Sequence, residues 1–189
     1  MIDLRIKDLP RQVNVGGRSF HIETDFRKWL DYGAERNKNI EEFDYFYSFI
    51  DDDEVPHPAM ISELIEQLDA FYMNQNATPH DVPSGDGTRS IDYVLDGEYI
   101  YASFVHYYNI DLIDTEYMHW HKFKALLGNM KDTKINDIMG YRVYKKPSDK
   151  KDAYDNEMKS LRAMWTLPTE HTEEEKQAMK EFDDYWENK

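Results

Sequence analysis

Two histidines two positions apart, His119 and His121, follow closely on Asp111, Asp114 and Glu116, and no other group in this chain has residue types so suited to metal ligation. Zinc draws imidazole and carboxylate donors into a tetrahedron about 2 Å in radius. The flanking Trp120, Phe123, Leu126 and Leu127 recur at helical spacing, and on a helix positions i and i+2 point about 200° apart. The rings then diverge, so the expectation is a histidine pair at the edge of the core beside Trp120, with no metal bound. The run Asp51-Asp52-Asp53-Glu54 is dense in carboxylates. A calcium loop, however, alternates its ligands and places a glycine at mid-loop, so this run reads as a solvated helix end. His80, Asp81 and Asp86 offer donors without a recognisable spacing. Ser84-Gly85-Asp86-Gly87 is glycine-rich but lacks the lysine and preceding strand of a phosphate loop. No GxSxG elbow, HExxH helix or dinucleotide fingerprint is present. The absence of cysteine excludes thiol chemistry and disulfides. The expectation is a protein that is not an enzyme and needs no cofactor.

The chain of 189 residues is long enough for one domain with a proper core. Hydrophobic residues make up 40%, which argues against disorder throughout. A net charge of −15 repels nucleic-acid phosphates and anionic membranes, and favours a basic partner or plain solubility. The opening MIDLRIKDLP is too polar for a signal peptide, and no run approaches the roughly 20 apolar residues of a membrane helix. Neither nucleic acid nor membrane is therefore expected as a partner, and the expected location is the reducing cytoplasm. The 14 tyrosines are a different signal. Tyr93, Tyr99, Tyr101, Tyr107 and Tyr108 cannot all lie on one buried helical face, so some belong to an interface or to a thick aromatic core.

The elements that position these residues are mostly helical. Val13, Val15, Phe20 and Ile22 alternate around Gly16-Gly17, which predicts an N-terminal β-hairpin. Thr24 or Asp25 then caps a helix carrying Phe26, Trp29 and Leu30. Further helices are predicted over 40–50, 59–73 (Met60 included among its core-facing residues), 91–108 and 116–127. Two more follow, from Thr133 or Lys134 to Gly140 and from about 149 to 164. Asn109, Gly128 and Gly140 serve as stops, Tyr141, Val143 and Tyr144 as an extended piece, and 74–89 as a long loop. Thr172-Glu173-Glu174-Glu175 opens a last, acidic helix with a thin stripe of Met179, Phe182 and Trp186. The expected fold class is mainly α: a bundle-like single domain over 1–168 with the small hairpin, then the acidic C-terminal helix over 169–189. The expected core is Phe26, Trp29, Phe46, Leu64, Leu68, Phe71, Ile100, Phe104, Leu112, Trp120, Phe123, Leu127, Ile138 and Leu161.

Three stretches carry a family likeness: TDFRKWL from Thr24, IDYVLDGEYIYASFVHYYNIDLID from Ile91, and above all MHWHKFKALLGNM followed by KINDIMGYR. Together they resemble the bacteriophage gene-product-fifteen family of tail-morphogenesis proteins. That family has a Leu-His-Trp-Trp-Lys-Phe core, where this chain has Met118 for the leucine and His121 for the second tryptophan; both changes leave an amphipathic helix intact. The resemblance implies a siphophage tail assembly chaperone, or one half of a chaperone pair, in the cytoplasm of the infected host or lysogen. Its implied partners are the tape-measure protein and a second tail chaperone or the major tail protein, with self-association left open. On this reading the tape-measure helix docks in a groove lined by Tyr101, Phe104, Tyr108, Trp120 and Phe123, and the protein leaves before the tail matures. Two alternatives are an acidic inhibitor or decoy of a host nucleic-acid-binding defence protein, and a minor structural subunit of the tail.

Overall fold

The computed structural model describes residues 5, 7–36, 43–73, 88–146 and 152–168; the expected helix over 169–189 and residues 74–87 of the expected loop lie outside them. Strands β1 (Gln12–Val15) and β2 (Arg18–His21) pair antiparallel, with Val13 opposite Phe20 and Val15 opposite Arg18. Gly16 and Gly17 hold φ of 59° and 74°, the left-handed pair that a tight hairpin turn of this hand demands. Val13, Val15 and Phe20 face the core. Beyond β2 the chain gains a second neighbour. Ile22 bridges Ile50, the Glu23 N–H donates to Phe49 O at 2.8 Å, and the Asp51 N–H donates to His21 O at 2.9 Å.

Helix α1 (Phe26–Glu35) starts at Asp25, whose carboxylate accepts from the Arg27 N–H at 3.0 Å, and buries Phe26, Trp29 and Tyr32 at three-residue steps. Helix α2 spans only Phe43–Tyr47, short of the expected 40–50, of which 40–42 lie outside the described residues. It stops because Phe49 to Asp51 are drawn into pairing with the end of β2, which a helix through Ile50 would forbid. A 3-10 turn over Pro58–Met60 leads into α3 (Ile61–Met73), which buries Leu64, Leu68 and Phe71 under the hairpin. Met60, expected in the core, is 40% exposed beside Gly16.

Helix α4 (Gly97–Tyr108) begins six residues later than expected. The Asp92 carboxylate accepts from the Val94 and Leu95 N–H groups, both at 2.9 Å, and so holds a turn where a helix was anticipated. It ends as expected at Asn109, with φ 52°. Helix α5 (Trp120–Asn129) replaces the expected 116–127, and Gly128 lies inside it. Likewise α6 (Lys134–Arg142) runs through Gly140 and Tyr141; neither glycine takes a positive φ, so neither acts as a stop. Helix α7 (Asp152–Trp165) completes the described chain. The expected core residues are all buried except Leu161, which is half-buried on α7.

One ion pair ties the later helices together. Asp96, just before α4, and Arg142, at the end of α6, are 3% and 5% exposed, and their forked contact measures 2.5 and 2.8 Å. The same guanidinium donates to Ser90 O at 3.1 Å and to Trp165 O at 2.7 Å, and the Asp92 N–H donates to Asp96 at 2.9 Å. A buried charge without its partner is far costlier than a surface one. Replacing Asp96 with alanine should therefore lower unfolding stability by about 3–5 kcal/mol in urea titration, whereas Glu54→Ala, at an exposed pair with Arg18, should change it by under about 1 kcal/mol.

Candidate functional site

Helices α1 and α5 start on the same rung. Asp25 and His119 form an antiparallel bridge: the Phe26 N–H donates to Met118 O and the Trp120 N–H to Thr24 O, both at 2.8 Å. Residues Tyr117 to His119 are therefore extended, which is why the helix begins at Trp120. The Phe26 ring stacks on Phe123 at 4.9 Å, Phe123 on Phe104 at 5.2 Å and Trp120 on Tyr72 at 5.2 Å. Offset ring stacks of this kind add to the burial itself.

The outer end of this stack is open. Phe26, Leu30, Tyr93, Ile100, Tyr101, Leu112, Ile113 and Phe123 line a cavity of about 490 Å³, with Arg27 and Glu98 beside it. A second cavity of about 480 Å³ shares Leu30 and Tyr93 with it and is lined by charged Glu35, Arg36, Arg89 and Asp92 as well as by Tyr72, Ile91, Val94 and Leu95. The two adjoin as a trough along α1, apolar at the Ile113 end and charged at the other, walled on the far side by the turn before α4 and by α4 itself. Its lips expose Val94 and Ile113 at 75% each and Leu95 at 55%. Arg27 is not a free cation there: it donates to Leu112 O at 2.9 Å and Thr115 O at 2.6 Å and contacts Asp25 at 3.2 Å.

Of the five residues expected to line a partner groove, Tyr101 and Phe123 reach the trough. Phe104 and Trp120 are wholly buried and Phe123 is 1% exposed, so these three form the packed backing of the trough. Tyr108 is half-buried elsewhere and donates its hydroxyl to Leu126 O at 2.9 Å. The trough instead exposes Leu30, Tyr93 and Ile113, none of them on the expected list. Leu30 was legible as an apolar position on α1. The exposure of Ile113 depends on a turn that helical periodicity does not signal.

A family model described as Bacteriophage Gp15 protein matches residues 6–167, most of the chain. No curated protein and no solved structure gives a significant match. No helix among the described residues is long and apolar enough to cross a membrane.

The two histidines lie against each other. His119 precedes α5, not within it, and its ring centre lies 5.2 Å from that of His121. His119 Nδ1 accepts from the His121 N–H at 3.0 Å, so Nε2 carries the proton and donates to Pro10 O at 2.8 Å. His121 Nε2 donates to Phe71 O at 2.9 Å, which leaves its buried Nδ1 without a partner among the described residues. No group of three or more potential ligands is gathered for a metal among the described residues. Burial holds both imidazoles neutral: it lowers His119 below its ordinary value and takes His121 from 6.5 to about 4. An unfolded chain takes up that proton near pH 6.5 and the folded one only near 4, so stability is full above 6.5 and falls as pH drops through this window. Between pH 7 and 4.5 the wild type should lose roughly 2–3 kcal/mol more than His121→Gln, which keeps an N–H donor but cannot charge. Equal losses in urea titrations at the two pH values would contradict the assignment.

Proposed function

This chain belongs to the bacteriophage Gp15 protein family, and on that premise we propose that it is a tail assembly chaperone that binds the tape-measure protein and is absent from the finished tail. The observation that carries this reading is the apolar end of the trough along α1, lined by Phe26, Leu30, Ile100 and Phe123 with Ile113 exposed at its mouth. A long tape-measure helix must hide an apolar stripe until the tail tube encloses it. Laying that stripe into a groove is how amphipathic helices are commonly held. Many copies along one ligand retain it by avidity while each single contact stays weak enough to release. The net charge of −15 keeps such a coated complex soluble in the host cytoplasm. Binding of this kind needs no bond-making step and no cofactor. A second tail chaperone or the major tail protein would then take over the tape-measure helix as the tube grows.

The same charge favours a second reading, an acidic decoy that occupies the nucleic-acid-binding surface of a host defence protein. The two differ in salt response, because the Debye length shrinks from about 10 Å at 0.1 M to about 3 Å at 1 M. Co-expression with the tape-measure protein should give a complex that survives affinity purification at both concentrations and keeps the tape-measure protein soluble. Absence of co-purification at either concentration overturns the chaperone reading. Capture of a basic host protein at 0.1 M that is lost at 1 M would favour the decoy.

A further inference from the structure

Ile113 is 75% exposed at the mouth of the trough, yet the turn that carries it is held by a dense set of hydrogen bonds. One Asp111 carboxylate oxygen accepts from the Ile113 and Asp114 N–H groups at 2.8 and 3.1 Å; the other accepts from the Tyr101 hydroxyl at 2.9 Å. The Thr115 N–H donates to Asp111 O at 3.0 Å, and Arg27 donates to Leu112 O and Thr115 O on either side of the exposed residue. These donors keep the Asp111 carboxyl below its ordinary range, the Asp114 N–H being the largest influence, so it stays ionised and accepting. A surface turn that merely linked α4 to the bridge at His119 would need neither this bracing nor an apolar side chain at its tip. Rigid presentation lowers the ordering cost of binding.

We propose that the Asp111–Thr115 turn is a preorganised anchor, in which Ile113 inserts against the apolar stripe of the bound helix while Asp111 and the Tyr101 hydroxyl act as positioning groups. This rests on the chaperone reading above, and the occupant is the tape-measure helix. The charges around the anchor define that helix further. Asp114 and Glu116 flank Ile113 and Glu98 stands across the mouth; all three are exposed, and none has an ion-pair partner among the described residues. The stripe it receives is therefore bordered by lysine or arginine.

The test is a competition pull-down, in which untagged full-length variants displace tagged wild type from the co-expressed tape-measure protein. Ile113→Ala should weaken competition about ten-fold, as loss of an interface anchor does. Asp111→Ala should weaken it by a similar factor although its carboxylate does not face the partner. If Asp111 acts through Ile113, the double variant is no weaker than either single one. Tyr101→Phe, which keeps the ring in the trough, should show a smaller loss that also vanishes in the Ile113→Ala background. Independent losses that multiply to about a hundred-fold would overturn the positioning role. Unchanged competition by Ile113→Ala would remove the turn from the interface while leaving the chaperone reading intact. Failure of the wild type itself to bind would overturn both.

Discussion

Two hydrogen bonds across the Asp25–His119 bridge set the register of the whole molecule. They start α1 and α5 on a common rung, and the aromatic stack follows from that. Phe26 meets Phe123, Phe123 meets Phe104 on α4, and Trp120 meets Tyr72 at the end of α3. A slip of one residue at the bridge would turn each of these rings off its neighbour, because side chains alternate faces in an extended segment. The MHWHKF stretch reads directly in these terms. Met118 is buried, His119 bridges and caps, Trp120 and Phe123 stack, and His121 holds Phe71 O. Only Lys122 is exposed; one residue beyond the stretch, the Lys124 ammonium lies over the faces of Tyr72 and Trp120.

The bridge fixes one wall of the trough and the buried Asp96–Arg142 pair fixes the other. Arg142 reaches the turn before α4 through Ser90 and Asp96 and reaches the end of α7 through Trp165. The wall containing Tyr93, Ile100 and Tyr101 is thereby secured to α6, not merely leaned against α1. A trough with both walls pinned is largely preformed, which suits a partner that must be held in many copies and then let go. The acidic surface and the apolar trough have separate roles on this account: the charge governs solubility and approach, the trough governs residence.

Much of this architecture was legible from residue patterns. Alternation around Gly16-Gly17 located the hairpin, and three- and four-residue spacing located α1, α3 and the core. Two of the misplacements share a cause, contacts distant in sequence that override local periodicity: Ile50 leaves its helical pattern to bridge Ile22, and Tyr117 to His119 are extended to pair with α1's cap. The late start of α4 is local, because the Asp92 carboxylate holds the Val94 and Leu95 N–H groups in a turn. Gly128 and Gly140 ended nothing because neither takes the positive φ of a helix stop. The site was legible in part. Tyr101 and Phe123 were identified, but aromatic content alone does not separate the lining of a groove from its backing, and Phe104 and Trp120 proved to be backing. Ile113 carries no such signal in the sequence, because its significance lies in a turn built by Asp111 and Arg27.

The most direct test of the central claim is amide hydrogen exchange on the full chain, alone and in complex with the tape-measure protein. New protection is expected at Arg27–Leu30, Gly97–Tyr101 and Leu112–Ile113, the segments that meet at the trough, with the hairpin unchanged. Protection confined to the hairpin or to α7, with the trough exchanging as freely as before, would contradict it.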